Sequence, residues 1–506
     1  MAATAGRDDP FRDEHTPQLG DAAGVPDTLA VCRDASLTLG TDSLVVLDEE
    51  LQDSKGAGCC GLSLSRDNNK STRSIPFYNI LWAEHSENGD ITIQYAHPES
   101  VKVVRPAIIS YKLDKPDSTL VSAWIEALLA RAYGHSQRQK RIKVLINPFG
   151  GQGGAVKMYH KSIAPIFAAA RCSLSVEKTT HQGHGVEIAQ ALNINDYDLV
   201  ACCSGDGIPH EVWNGLGKRP DAALALHKMA VAQLPCGSGN ALSLNFNGSD
   251  SPSIAALAVV KGLRTPLDLC SVTQGTTRTL SFLSQSVGIV AETDLATEHL
   301  RWMGAARFTW GFLTRLLSQT VYPADIAVKA VHTSKTAVRE AYRASAAAAP
   351  SRPHDTRPIP SPTTPLPPLQ YGDINSPLPS DWSLVPHPHL GNFYAGNISY
   401  MSPDANFFPA AVPSDGFIDL VRIRGDIPRL TAIKMLLAVE NNTFFDMEGV
   451  DYQKVVAYRI VPREQESGYI SVDGERVPFE GFQVEVHKGL GTVMSKGGVL
   501  CEAKGV

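Results

Sequence analysis

Three short segments carry residue types that handle phosphate. The first is Asn147-Pro148-Phe149-Gly150-Gly151-Gln152-Gly153-Gly154. The second is Ser204-Gly205-Asp206-Gly207, followed by Glu211 and Asn214. The third is Pro235-Cys236-Gly237-Ser238-Gly239-Asn240. Glycines let backbone N–H groups approach phosphate oxygens, and a following helix N-terminus adds positive potential. The first segment is not a Walker A loop, since no Gly-Lys-Ser/Thr follows. It is not the dinucleotide fingerprint either, which needs glycine where Val156 stands. In the second, a carboxylate between two glycines can approach a substrate hydroxyl and accept its proton, the acceptor that phosphoryl transfer to an alcohol requires. In the third, Ser238 and the backbone suit phosphate, and Asn240 suits a helix cap. Each segment alone also reads as an ordinary turn, Asp-Gly above all. Three of them at strand ends of one sheet point to a shared cleft.

The surrounding elements predict that sheet. From Arg141 the strands RIKVLINP, LSVEKTT, YDLVACCS and MAVAQLP alternate with helical stretches, one of them broken near Pro165. This alternation predicts an α/β domain over 138–268, a parallel sheet whose ligands sit beyond the carboxyl ends of its strands. Residues 28–137 read as a β-rich accessory domain, either pleckstrin-like or plain. It is closed by an amphipathic helix carrying Val121, Trp124, Ile125, Leu128 and Leu129. From 269 to 506 strands follow in quick succession, predicting an antiparallel β-sandwich with helices near 294–317 and 428–439. Residues 1–27 read as a disordered tail. Twelve of the 33 prolines lie between Pro350 and Pro388, so 344–388 reads as a disordered insertion.

Composition narrows the partners. A formal net charge of −6 lacks the basic footprint of a nucleic-acid binder. The nine cysteines include no CxxC pair, which suits a reducing compartment. The N-terminal stretch is polar, without the apolar core of a signal peptide, and no segment is long and apolar enough to cross a bilayer. The expectation is a cytoplasmic protein that meets lipid peripherally, at the membrane surface. Adjacent Cys59 and Cys60 are either palmitate acceptors or unmodified thiols.

NPFGG, SGDGIPHEVWNGL and PCGSGNALS resemble the signature blocks of sphingosine (long-chain-base) kinases, within the diacylglycerol-kinase catalytic superfamily. The PCGSGN form is similar to the fungal members. The resemblance spans roughly residues 140–310 and 390–480. It implies a lipid kinase that uses ATP with Mg²⁺ to phosphorylate the primary hydroxyl of a sphingoid base, with Asp206 as general base. It places Asn147, Gly150, Gly151, Thr179, Gly205, Gly207, Glu211, Gly237, Ser238 and Gly239 around the nucleotide, Glu211 on its sugar and Ser238 on phosphate. The stretch GIVAETDLATEHLRWMGAARFT resembles the lipid-recognition region. Asp294 would engage the polar head, and Arg301 and Arg307 the ATP phosphates. Asp473 and Glu475, in Val472-Asp473-Gly474-Glu475, would lie near the adenine or metal side. A basic residue common near Phe149 in the family is absent here.

An amine-bearing lipid is favoured because a buried carboxylate such as Asp294 wants a cationic or donor partner, and diacylglycerol has no amine. Phe282, Leu283 and the apolar residues between Leu300 and Leu313 are candidates for a tail channel. The rival readings are a ceramide or diacylglycerol kinase, or an inactive lipid sensor at membranes.

Overall fold

The computed structural model describes residues 26–32, 35–48, 71–113, 118–151, 153–296, 311, 315, 320–348, 355–498 and 504–506. Arg301, Arg307, Cys59, Cys60, nearly all of the expected tail and the run Leu300–Trp310 lie outside the described residues.

Residues 28–133 form two antiparallel sheets and a helix. Four strands, Thr28–Cys32, Ala35–Leu39, Ser43–Asp48 and Ser71–Pro76, pair in chain order. Three more, Ile80–His85, Asp90–Ser100 and Val103–Lys112, form the second sheet. The helix Ser118–Tyr133 buries the five apolar residues its spacing predicts, together with Ala132 and Tyr133. The core of this module continues into the next. Its cluster includes Ile163 and Phe167 and the helix Pro252–Lys261. Lys261 is buried there, donating to the carbonyls of Ile80 and Ala132 with its ammonium 3.7 Å from the Tyr133 ring centroid. The module is thus fixed to the sheet that follows it.

That sheet contains four parallel strands in the order Ser173–Lys178, Arg141–Ile146, Leu199–Ser204 and Ala230–Pro235. The last two are buried throughout, as strands covered on both faces must be. The helix after the first glycine loop passes through a π turn, Tyr159–Ile163. It resumes with Pro165 in its first turn, where the missing N–H costs no intrahelical bond.

The sequence predicts a second, separate sheet, and the structure joins the two. Strand Phe482–Ser495 pairs parallel with Ala230–Pro235 at Val493. It pairs antiparallel with Leu263–Gln274 over nearly its whole length, and with Asp451–Pro462. Among the described residues one 15-stranded mixed sheet results. Its antiparallel part continues through Ile418–Arg424, Leu390–Gly396, Ser284–Gly288, Ile470–Val472 and Glu475–Val477. The boundary placed at 268/269 therefore falls inside a strand, Leu263–Gln274.

The proline-rich segment also differs from expectation. A helix, Lys335–Ala348, covers its start. Residues 355–388 run as a strap held to the sheet. Arg357 donates to the carbonyl of Gly491 at 2.7 Å, to Thr492 Oγ1 at 2.7 Å and to the Gly489 carbonyl. The N–H groups of Gln370 and Tyr371 reach Glu485 at 2.8–2.9 Å, and Trp382 is buried beside Tyr371. Proline-rich chain makes little regular structure, yet its peptide groups can be satisfied by charged side chains projecting from a formed sheet. This corrects the expectation of disorder for 355–388.

Candidate active site

The register of the parallel strands sets their carboxyl ends level: Ile146 stands beside Cys203, and Ser204 beside Pro235. The loops beyond them touch backbone to backbone. A Cβ on Gly237 would lie 2.3 Å from the Cα of Gly205. One on Gly205 would lie 2.9 Å from the Gly239 carbonyl oxygen, and one on Gly151 3.2 Å from the Gly237 Cα. Gly151 also has φ +59, in the region that favours glycine. The three segments singled out in the sequence thus meet at one place. Asn147 braces the first by accepting the Phe149 N–H at 3.0 Å, and Asn240 closes the third through Gly237. Asn240 exchanges these bonds within its own loop and makes no side-chain cap bond to the helix it precedes. Ser238 is exposed on the third loop, as is Phe149 on the first.

Asp206 lies where the loops meet, as the residue before the helix Gly207–Gly217. It is half-buried. Its two oxygens accept the N–H groups of Ala241 at 2.9 Å and Leu242 at 3.0 Å, in the first turn of the neighbouring helix. Burial pushes its carboxyl above the ordinary range. Those two N–H groups and the amide of Gln233 oppose the shift, and the charge of Asp473 adds to it. Such a carboxylate has acceptor capacity to spare and raised basicity, both of which suit proton abstraction.

The fourth loop, after Ser173–Lys178, comes to the same side. Thr179 is buried and bonds back to the Ile146 carbonyl at 2.9 Å through its N–H. Glu211 accepts N–H groups from Gly183 at 2.9 Å and Gly185 at 2.7 Å. The resemblance places Glu211 on the nucleotide sugar. Here one N–H on each of its oxygens makes it the post that holds the fourth loop and the start of the helix His184–Ala191.

Two further acids approach from the antiparallel part. Glu475 lies over the turn after Asp206, its Oε1 3.0 Å from where a Gly207 Cβ would stand, with Gln182 3.5 Å from its other oxygen. Asp294, on the helix Ile289–Ala296, faces Gly474 of the same hairpin. Tyr394 marks their common neighbourhood. Burial raises its phenol pKa most. The bond to Ser284 opposes this, and the charges of Asp294, Asp473 and Asp206 add to it.

Asp473 itself departs from expectation. Its side chain has no exposed surface and accepts five donors. These are Ser281 Oγ at 2.6 Å, His210 Nδ1 at 2.8 Å, and the N–H groups of Phe282, Leu283 and Ser284 at 2.9–3.0 Å. Five donors use every lone pair a carboxylate offers, so Asp473 has none left for a nucleotide or a cation. This corrects its placement on the adenine or metal side. Phe282 and Leu283 are likewise core among the described residues, Phe282 packing on Trp213 with ring centroids 4.6 Å apart.

Among the described residues no three His, Cys, Asp or Glu side chains gather as a metal cage.

Sequence reasoning missed two positions, Gln233 and His210, and left a third, Asn214, without a role. Gln233 is a polar residue inside an otherwise apolar strand, a signal that it serves a neighbouring group. His210 and Asn214 are four apart on one helix face. Asn214 exchanges two bonds of 2.8 Å with the backbone of Leu280.

The diacylglycerol kinase catalytic domain model matches residues 141–272, and a domain of unknown function (DUF7493) matches 27–134. Sphingoid long chain base kinase 5 of Saccharomyces cerevisiae is 33% identical, over 87% of this chain and 71% of that one. Sphingoid long chain base kinase 4 of Schizosaccharomyces pombe is also 33% identical, over 83% and 88%. Sphingosine kinase 1 of Homo sapiens is 30% identical, over 69% and 89%.

Proposed function

The chain belongs to the sphingoid long-chain-base kinases, and from that membership we propose how its residues carry out the reaction. The protein transfers a phosphoryl group from ATP to a sphingoid base. ATP lies across the loops containing Asn147, Gly150, Gly151, Gly205, Gly207, Gly237, Ser238 and Gly239, with Thr179 at the side; Mg²⁺ would accompany it and neutralise phosphate charge. The primary hydroxyl oxygen of the lipid attacks the γ-phosphorus. Its proton passes to Asp206, and the bond from phosphorus to the ADP oxygen breaks. Arg301 and Arg307 offset charge on the transferring group, and Glu475 borders the nucleotide. Asp294 takes the cationic amine and adjacent hydroxyl of the base.

The observation that carries this reading is the backbone contact among Gly151, Gly205 and Gly237, which sets Asp206 at the meeting point of the phosphate loops. The test is a substrate panel: purified protein, γ-labelled ATP, and sphingosine, dihydrosphingosine, ceramide or diacylglycerol. Label should enter the free bases and neither of the others. Transfer to ceramide or diacylglycerol instead would overturn the head-group assignment, and no transfer at all would leave a lipid sensor.

Among the described residues no helix is long and apolar enough to cross a membrane. We propose that the lipid is taken from a membrane surface facing the cytoplasm, with the protein associated peripherally. Four strands and three, closed by one C-terminal helix, support a pleckstrin-like architecture for residues 28–133.

A further inference from the structure

The saturated Asp473 raises the question of what it is for. Its donors come from two directions: the turn Ser281–Ser284 of the antiparallel part, and His210 on the helix that begins after Asp206. We propose that His210 and Asp473 are a positioning pair, fixing the helix Gly207–Gly217, and so Asp206, against the lipid-binding half of the molecule. The inference rests on the reading of Asp206 as the base.

The geometry runs as one buried line. Tyr458 donates to Gln285 Oε1 at 2.8 Å. Gln285 donates to Ser281 Oγ at 2.6 Å, and Ser281 to Asp473 at 2.6 Å. His210 donates to the other Asp473 oxygen at 2.8 Å. The His210 N–H in turn reaches the Asp206 carbonyl at 3.2 Å, one helical turn back. Asn214, a turn further on, holds both backbone groups of Leu280 and places its amide nitrogen 3.3 Å from His210 Nε2. Two successive turns of the helix are thereby tied to the opposite half. Asp473 has φ +53, a conformation that a non-glycine residue keeps only when its surroundings fix it. A carboxylate pointed at ATP would not be spent this way.

The groups facing His210 are Asp473 and Glu475 from the hairpin, and Glu211 and Asn214 from its own helix. Burial works against a charged ring, but the bond to Asp473 and the three acidic charges outweigh it and hold His210 above its ordinary pKa. The sign follows. The extra strength of a charged His210 is present at low pH and is lost as pH rises through that raised value.

The test compares His210→Leu and His210→Asn with the unaltered enzyme, using ATP and sphingosine, with melting temperature as the check on folding. Asparagine keeps a donor near the Nδ1 position but does not titrate. For His210→Leu, kcat should fall about 30- to 100-fold while KM for ATP stays within about twofold, since displacing a base by about 1 Å costs about that much. His210→Asn should recover most of kcat. The kcat ratio of unaltered enzyme to His210→Asn should decline as pH rises. Full kcat in folded His210→Leu, or a raised KM for ATP with kcat kept, would overturn the pair. If the leucine variant does not fold, a pH-independent ratio for the asparagine variant overturns it. Asp206→Asn separates the two readings. Retained turnover there removes the base itself, whereas a dead Asp206→Asn beside an unaffected His210→Leu removes only the pair.

Discussion

Asp206 and Asp473 occupy the same dipeptide, Asp-Gly, at two sharp turns of the backbone. Asp206 takes two N–H groups from a helix end and keeps part of its surface open. Asp473 takes five donors and keeps none of its side chain open. A carboxylate has about four lone-pair sites, so the first is left with reach toward a substrate and the second is not. The dipeptide signals only that the chain turns. Whether the acid can act on a ligand is decided by how many donors the fold spends on it.

Substitutions can break or sharpen this contrast. The largest effect is expected at Asp206. Asp206→Asn should lower kcat by about a thousandfold or more, with ATP affinity within about threefold, by single-turnover label transfer and nucleotide titration. Retained turnover would reduce Asp206 to a helix brace. The same change at Asp473 should act on stability. Asp473→Asn turns an amide donor toward groups that already donate, and should cost about 3 kcal/mol, read from the denaturant midpoint. A stable variant with weakened ATP binding would erase the distinction. Gly237→Ala tests the meeting point, since its methyl group would stand 2.3 Å from Gly205. About 2 kcal/mol of strain is expected, as lost stability or an equivalent loss in kcat/KM for ATP. Asp294→Ala examines a third aspartate of the same neighbourhood. It should raise KM for the sphingoid base about tenfold and leave ATP binding alone.

The parallel sheet and its glycine loops were legible because strand–loop–helix units announce themselves through apolar runs and punctuation. Phosphate loops must also lie at strand ends. The module helix was legible from the spacing of Val121, Trp124, Ile125, Leu128 and Leu129. The saturation of Asp473 was not, because its donors at 210 and 281–284 are remote in sequence and three of them are peptide N–H groups, which no residue type reveals. The bracing of the fourth loop by Glu211 was hidden for the same reason, its donors at Gly183 and Gly185 being peptide N–H groups. The 355–388 strap was misread because proline content speaks to regular structure and core burial. It says nothing of an arginine or glutamate elsewhere, such as Glu485, waiting to satisfy backbone groups.

Strand Phe482–Ser495 belongs to both the parallel and the antiparallel parts. Neither half can lose its hydrogen-bond ladder without fraying the other, so heat should take the two together in one calorimetric peak. On the proposed placement, a nucleotide at the glycine loops should therefore raise the melting temperature of the antiparallel part as much as that of its own, and a bound sphingoid base should do the same for the parallel part.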